Sequence, residues 1–327
     1  TCSVAMTANR QVAASFVPVE TPPPPPPPPP PSSGVDKATA VRFLEHASFG
    51  PVPASIAKVQ QDGPARWIAD QIQLNESSIP DGLTTTGVSS QMFLNMANGE
   101  DQLRQRMIFA LSQIVVVSSR KNVNGEELVP WARLLSRHAF GNYRAFLRDV
   151  TLSPTMGKYL DHANSMKKTP DTVPNENYPR ELLQLFGIGL WQLDQDGRLI
   201  KDNAGNPVPT YSQADIVEFS RALTGWTYPT KPGEVPRSRN WEYFVGNLEP
   251  RQENHDTGSK TLLNGTVLPA GQSVEQDMEA VLDNIFQHPN MPPFISTRLI
   301  RLLVKSNPSP DYIRRVADVF VDNGQGV

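Results

Sequence analysis

Val173-Pro-Asn-Glu-Asn-Tyr-Pro-Arg-Glu-Leu-Leu-Gln-Leu-Phe-Gly187 opens polar and closes apolar, and its reading decides the fold. Pro179 has no N–H and its ring clashes with a preceding helical turn, so it is tolerated only in a first turn. A helix is therefore expected to start near residues 176–178, with Asn177 the best cap by chemistry. From Arg180 onward, Leu182, Leu183, Leu185, Phe186, Ile188, Leu190 and Trp191 cover most of the circumference. That is the pattern of a helix surrounded by protein. One strip stays polar, formed by Asn177, Glu181 and Gln184. In a central helix, Glu176, Asn177, Arg180 and Glu181 lie at or near the core. Unpaired charges there would be very costly, so they need partners. Arg180 pairs either with a glutamate or with a carboxylate or phosphate of a ligand. Free N–H groups at the helix mouth, with Asn175 beside them, favour an anion. The competing reading is a surface cap with solvated charges.

Around this segment the chain reads as mostly helical. Apolar residues at Ala40, Phe43, Leu44 and Ala47 give a helix over 37–47, capped by Asp36. Pro53 opens a second helix and Pro64 a third. Residues 75–90, rich in Ser, Thr and Gly, read as a loop. Helices are expected over 100–117, 126–139 and 143–152, and later over 211–224, 275–287, 293–305 and 310–321. Two hairpins are expected in the second half, one around Asp196-Gly197 and a stronger one around Asn264-Gly265, the preferred type I′ pair. Residues 227–260 read as an irregular segment of the kind that carries function. Strands do not alternate with helices, which argues against a parallel α/β fold. The expected class is mainly α: an irregular multi-helix domain over 37–327 with one or two small β-hairpins. The end at Asn323-Gly-Gln-Gly-Val is abrupt, and a longer natural chain is expected.

Composition sets the outer limits. The 327 residues suffice for a substantial core. A net charge of −3 argues against a nucleic-acid partner. Cys2 is the single cysteine, so an internal disulfide framework and a cysteine-based metal site are both out of reach. No segment approaches the roughly 20 apolar residues of a membrane-spanning helix. Residues 1–36 read as a leader whose prolines, Pro22 to Pro31, would span about 31 Å as polyproline II. Such a rod suits a stalk that attaches the body to the cell envelope or to a partner protein; the alternative is a proline-rich linker with no anchor. If the sequence starts after a cleavage site, the protein is an exported one. Cys2 is then a candidate lipid anchor, although Thr1 before it fits that processing poorly; the alternative is a lone thiol in a tail.

His255-Asp-Thr-Gly-Ser-Lys260 is the second polar cluster. Its order suggests a turn in which Lys260, Asp256 and backbone N–H groups hold an anion. His255 becomes a base if a carboxylate orients it. The alternative is a well-bonded structural turn. His162 follows Asp161 and is expected near the helix mouth, whereas His46, His138 and His288 read as structural. No ligand spacing supports zinc or di-iron, and no metal ligand is assigned. The cofactor is unknown and none is indicated, with Asp161, Glu176 and Asp256 the one weak set for Ca²⁺ or Mg²⁺.

The helix-mouth segment also resembles the hallmark motif of the bacterial domain of unknown function 1800 family, a group of uncharacterised exported proteins. Similar stretches recur in the same order. They are Arg42-Phe-Leu-Glu-His-Ala-Ser-Phe-Gly-Pro51, Arg104-Gln-Arg-Met-Ile-Phe-Ala-Leu-Ser-Gln113, His138-Ala-Phe-Gly-Asn-Tyr-Arg144 and Tyr159-Leu-Asp161. Tyr211-Ser-Gln-Ala-Asp215, Ala222-Leu-Thr-Gly-Trp226, the stretch from His255 to Leu263 and His288-Pro-Asn290 follow. The resemblance covers about residues 40 to 327. It departs at Pro179, where the family usually has Ala, and at Gly187, where Thr is common. It implies an exported protein, expected in the periplasm or at the cell surface, but no established activity.

Two functions compete. In the first, an envelope protein with a structural or binding role uses the helix mouth as an internal polar site. In the second, an exported hydrolase uses Glu181 or Glu176 and His255 as acid and base, with Arg180 and Lys260 clamping an anion.

Overall fold

The computed structural model describes residues 34–324. The expected leader and its polyproline stalk lie outside the described residues up to residue 33. The body is mainly α, with two small antiparallel pairs in its second half.

The first half is a succession of helices whose starts follow local chemistry. In α1 (Lys37–Ala47), Asp36 accepts from the Thr39 N–H at 2.9 Å. In α2 (Pro53–Gln73), the chain breaks at Gly63 (φ 80) and restarts on Pro64, so the expected second and third helices run head to tail. The segment expected as a loop over 75–90 is corrected in part: α3 (Thr85–Asn98) begins inside it. Its Thr-Gly-rich start has poor helix propensity. Thr84 caps it through the Gly87 N–H at 3.0 Å, and Val88 packs with Leu128, Val129 and Ala132 of the helix that follows later. Packing overrides propensity here. The helices α4 (Gln102–Ile114), α5 (Gly125–Arg137), α6 (Tyr143–Thr151) and α7 (Pro154–Tyr159) come next.

The decisive segment forms α8 (Asn177–Glu181), which continues directly into a π-helical turn, Leu182–Gly187. The Ile188 N–H bonds to the Leu183 carbonyl at 2.9 Å, one residue further back than in an α-helix. Glu176, not Asn177, occupies the cap position, because Asn175 Oδ1 accepts from the Asn177 N–H at 2.8 Å and forms the turn. Leu182, Leu183, Phe186 and Ile188 are buried in the main core, as expected of a surrounded helix. Leu190 and Trp191 were expected on that buried surface but are 47 % and 44 % exposed. The helix has ended by then, and the chain swings out at Gly189 (φ 73).

The second half is looser. The expected hairpin at Asp196-Gly197 is present as an isolated bridge between Leu193 and Leu199. The stronger hairpin pairs β3 (Lys260–Thr261) with β4 (Val267–Leu268). Asn264 and Gly265 both have positive φ between them, the type I′ requirement. Within the irregular segment, β1 (Trp226–Thr227) pairs with β2 (Glu249–Pro250), a contact no local pattern announces. The helix α9 (Gln213–Ala222) precedes these strands, and α10 (Val274–Phe286), α11 (Met291–Leu303) and α12 (Pro310–Val321) close the fold. The main core gathers Phe146, Tyr178, Phe186, Phe219, Met278 and Ile295 from six different segments. No helix of the described residues is long and apolar enough to cross a membrane.

Candidate functional site

The two polar clusters of the sequence occupy opposite ends of α9. Gln213 opens that helix and Arg221 lies near its close, about 12 Å further along at 1.5 Å per residue. The helix starts on a capping box in which the Ser212 hydroxyl accepts from the Asp215 N–H and Asp215 accepts back from the Ser212 N–H at 2.7 Å.

At the first end lies the helix mouth. The Arg180 guanidinium donates to Glu176 Oε2 at 2.8 Å and to Gln213 Oε1 at 3.2 Å. The Gln213 amide donates back to Glu176 Oε2 at 2.8 Å, which closes a three-residue ring. On the other side, the Asn177 amide approaches Asp161 Oδ2 at 3.4 Å, and Lys121 holds Asp161 Oδ1 at 2.7 Å. Asn175 is tied through its N–H to Ser165 Oγ at 3.0 Å. Four separate segments thus meet at one mouth. The Arg180 and Glu176 side chains remain 38 % and 36 % exposed. The expectation of charges enclosed near the core is corrected to charges answered by neighbours at a half-open rim. Pro179 and Tyr178 are buried beneath it, while Asn175 and Asn177 are exposed.

Glu181 differs from its neighbours. It is partly buried, and its Oε2 is shielded and has no hydrogen-bond partner. Desolvation pushes its carboxyl above the usual range, with Arg180 pulling the other way. Tyr211 stands close by, its hydroxyl donating to Gln184 Oε1 at 3.3 Å. Beneath the mouth, His162 is buried against the Tyr178 ring at 4.7 Å between centroids, and its Nε2 has no partner. Burial pushes its pKa down to about 3, so the ring stays neutral. The Tyr178 and Thr151 hydroxyls are hydrogen-bonded to each other at 2.7 Å.

At the other end of α9 is a closed knot. The His255 ring is fully buried. Its Nδ1 donates to the Thr224 carbonyl at 2.9 Å and its Nε2 meets Asp277 Oδ2 at 3.0 Å. Lys260, buried as well, reaches the same oxygen at 2.7 Å, donates to the Gly258 carbonyl at 2.8 Å and takes the Asp256 carbonyl as a third acceptor. All three ammonium protons are used. The Asp256 carboxylate is gripped by Arg221 at 2.9 and 3.1 Å, which holds it below its ordinary range despite burial. Gly225 (φ 92) lets the chain pass here, since a Cβ would sit 3.1 Å from His255 Cβ and 3.0 Å from the Arg251 carbonyl.

Glu176, Arg180, Asn175, Asn177 and Asp161 are therefore brought together, with Glu181 beside them. His255, Lys260 and Asp256 are gathered separately. The three carboxylates considered for Ca²⁺ or Mg²⁺ do not converge: Asp161 is on Lys121, Glu176 on Arg180 and Asp256 on Arg221. No group of three or more His, Cys, Asp or Glu among the described residues could hold a metal ion. Sequence reasoning missed Lys121 and Gln213. Nothing local marks Lys121, which lies 40 positions before Asp161. For Gln213 the Ser212–Asp215 capping pattern was a readable signal of a helix start.

These features define a mainly α protein with a half-open polar mouth and a separate buried ion cluster. The family described as "Protein of unknown function (DUF1800)" matches residues 42–327, and the chain belongs to it. No curated protein and no solved structure matches the chain.

Proposed function

We propose that the protein is an exported, envelope-associated binding protein whose ligand site is the helix mouth around Arg180, and that the His255 knot holds the fold. The observation that carries this reading is the contrast in access. The mouth offers Arg180, Glu176, Asn177 and Gln213 to solvent in fixed positions, whereas His255 and Lys260 have no open face. Arranged donors and acceptors at a partly open rim suit a small polar ligand carrying both kinds of group. The envelope location rests on the proline run and on Cys2, and fractionation of cells expressing the full chain tests it: recovery in the cytoplasmic fraction alone would remove that part. For the site, a thermal-shift screen of sugars, amino acids and dicarboxylic acids is the direct experiment. Ligands that stabilise the parent should lose their effect on Arg180→Gln; hits that persist unchanged would refute the assignment.

A second reading has one specific support, the Glu181 carboxyl with its raised proton affinity and unpartnered oxygen. Such a group suits general-acid chemistry. In this version the hydrolase relies on Glu181, with Arg180 as the clamp, and without His255 or Lys260. Turnover on a panel of chromogenic esters, phosphates and glycosides that vanishes in Glu181→Gln with no fall in melting point would favour it.

A further inference from the structure

A cleft of about 620 Å³ lies away from both polar clusters, between one face of α5 and the loop that carries Phe244 to Asn247. Its volume is that of a site for a small organic molecule. Val129, Leu134, Pro154 and Phe244 line it and are buried, so the floor is apolar. Its charged residues divide into two kinds. Arg133 is spent on the wall itself, donating to the Ile79 carbonyl at 2.9 and 2.6 Å and pairing with Asp81 at 2.8 Å. Glu126 and Arg137 are exposed, line the cleft, and make no polar contact among the described residues. They are eleven positions apart on α5, about 16–17 Å along its axis. An unpaired anion and an unpaired cation thus stand at opposite ends of an apolar trough.

The trough also offers groups for a main chain. The Asn247 side chain lines the loop wall with its donor and acceptor both free among the described residues, the complement of one peptide unit.

We propose that this cleft binds a short extended peptide with free ends. Its ammonium lies at Glu126, its carboxylate on Arg137 and one of its peptide groups on Asn247. An extended chain advances about 3.3–3.6 Å per residue, so the charge separation fits roughly five residues. This site is independent of the helix mouth.

Isothermal titration with pentaalanine bearing free termini tests the proposal. Binding is expected in the millimolar range or tighter. Affinity should fall at least tenfold for the N-acetylated, C-amidated peptide, for trialanine, and in Arg137→Gln or Glu126→Gln. Arg180→Gln should bind as the parent does. Both cleft residues are exposed, and thermal melts of the two variants verify that they fold. No binding of pentaalanine across the millimolar range would overturn the proposal. So would equal affinity for the blocked or the three-residue peptide, or indifference to both substitutions.

Discussion

The two ends of α9 carry similar chemistry in opposite surroundings. At one end, Glu176, Arg180 and Gln213 form a ring at the rim of the molecule. At the other, Asp277, Lys260 and His255 form a cluster sealed from solvent. Residue type does not separate them; burial does. In water an ion pair contributes little, because solvent competes for each partner. Inside the protein, removing one partner leaves the other charge without compensation. The same salt-bridge chemistry is therefore expected to hold the fold at one end and to add little to it at the other.

This contrast orders the expected effects. The largest belongs to the sealed cluster. Asp277→Ala leaves the Lys260 ammonium and the His255 ring facing a void, and should cost about 3–5 kcal/mol in a urea titration. A loss below about 1 kcal/mol would mean that water reaches the cluster.

His162 comes next and is read by pH. Its folded pKa is depressed, so the unfolded chain takes up a proton that the native protein refuses. Stability is present above the ordinary histidine range and is lost as pH falls from about 6.5. With a folded value of about 3, the loss approaches roughly 5 kcal/mol at the acid end. His162→Phe keeps a ring against Tyr178 and should flatten that part of the stability–pH curve. An unchanged slope would place the histidine in contact with water.

The rim should respond weakly. Arg180→Ala is expected to cost at most about 1 kcal/mol. Glu181 gives the smallest effect, with a definite sign. Its carboxyl is raised, so the native state holds the proton more tightly than the unfolded chain does. The stability this confers is full below the ordinary glutamate range and disappears as pH rises through the folded value. Glu181→Gln should therefore raise the melting point slightly at neutral pH and not at all in acid. A fall at neutral pH would show that the carboxylate has a partner.

Much of this architecture was legible in the sequence, for reasons that can be named. Asp36, Pro64 and the Asn264-Gly265 pair act through local sterics and hydrogen bonds, and each appears where such rules place it. The leucines after Arg180 announced a surrounded helix, and Leu182, Leu183 and Phe186 are indeed in the core. Three things were not legible. The π turn hides where the helix stops, so Leu190 and Trp191 were assigned to the wrong surroundings. The start of α3 is stabilised by tertiary packing of Val88, not by its own propensities. The partition of polar groups depends on contacts between residues far apart in the chain, such as His255 with Asp277, and a motif records residue types, not which of them face water.

Parallel urea unfolding of Asp277→Ala and Arg180→Ala tests the central claim, that burial decides which of the two ion clusters holds the fold. The account predicts that Asp277→Ala loses at least about 2 kcal/mol more than Arg180→Ala. Equal losses, or a greater loss at Arg180, would contradict it.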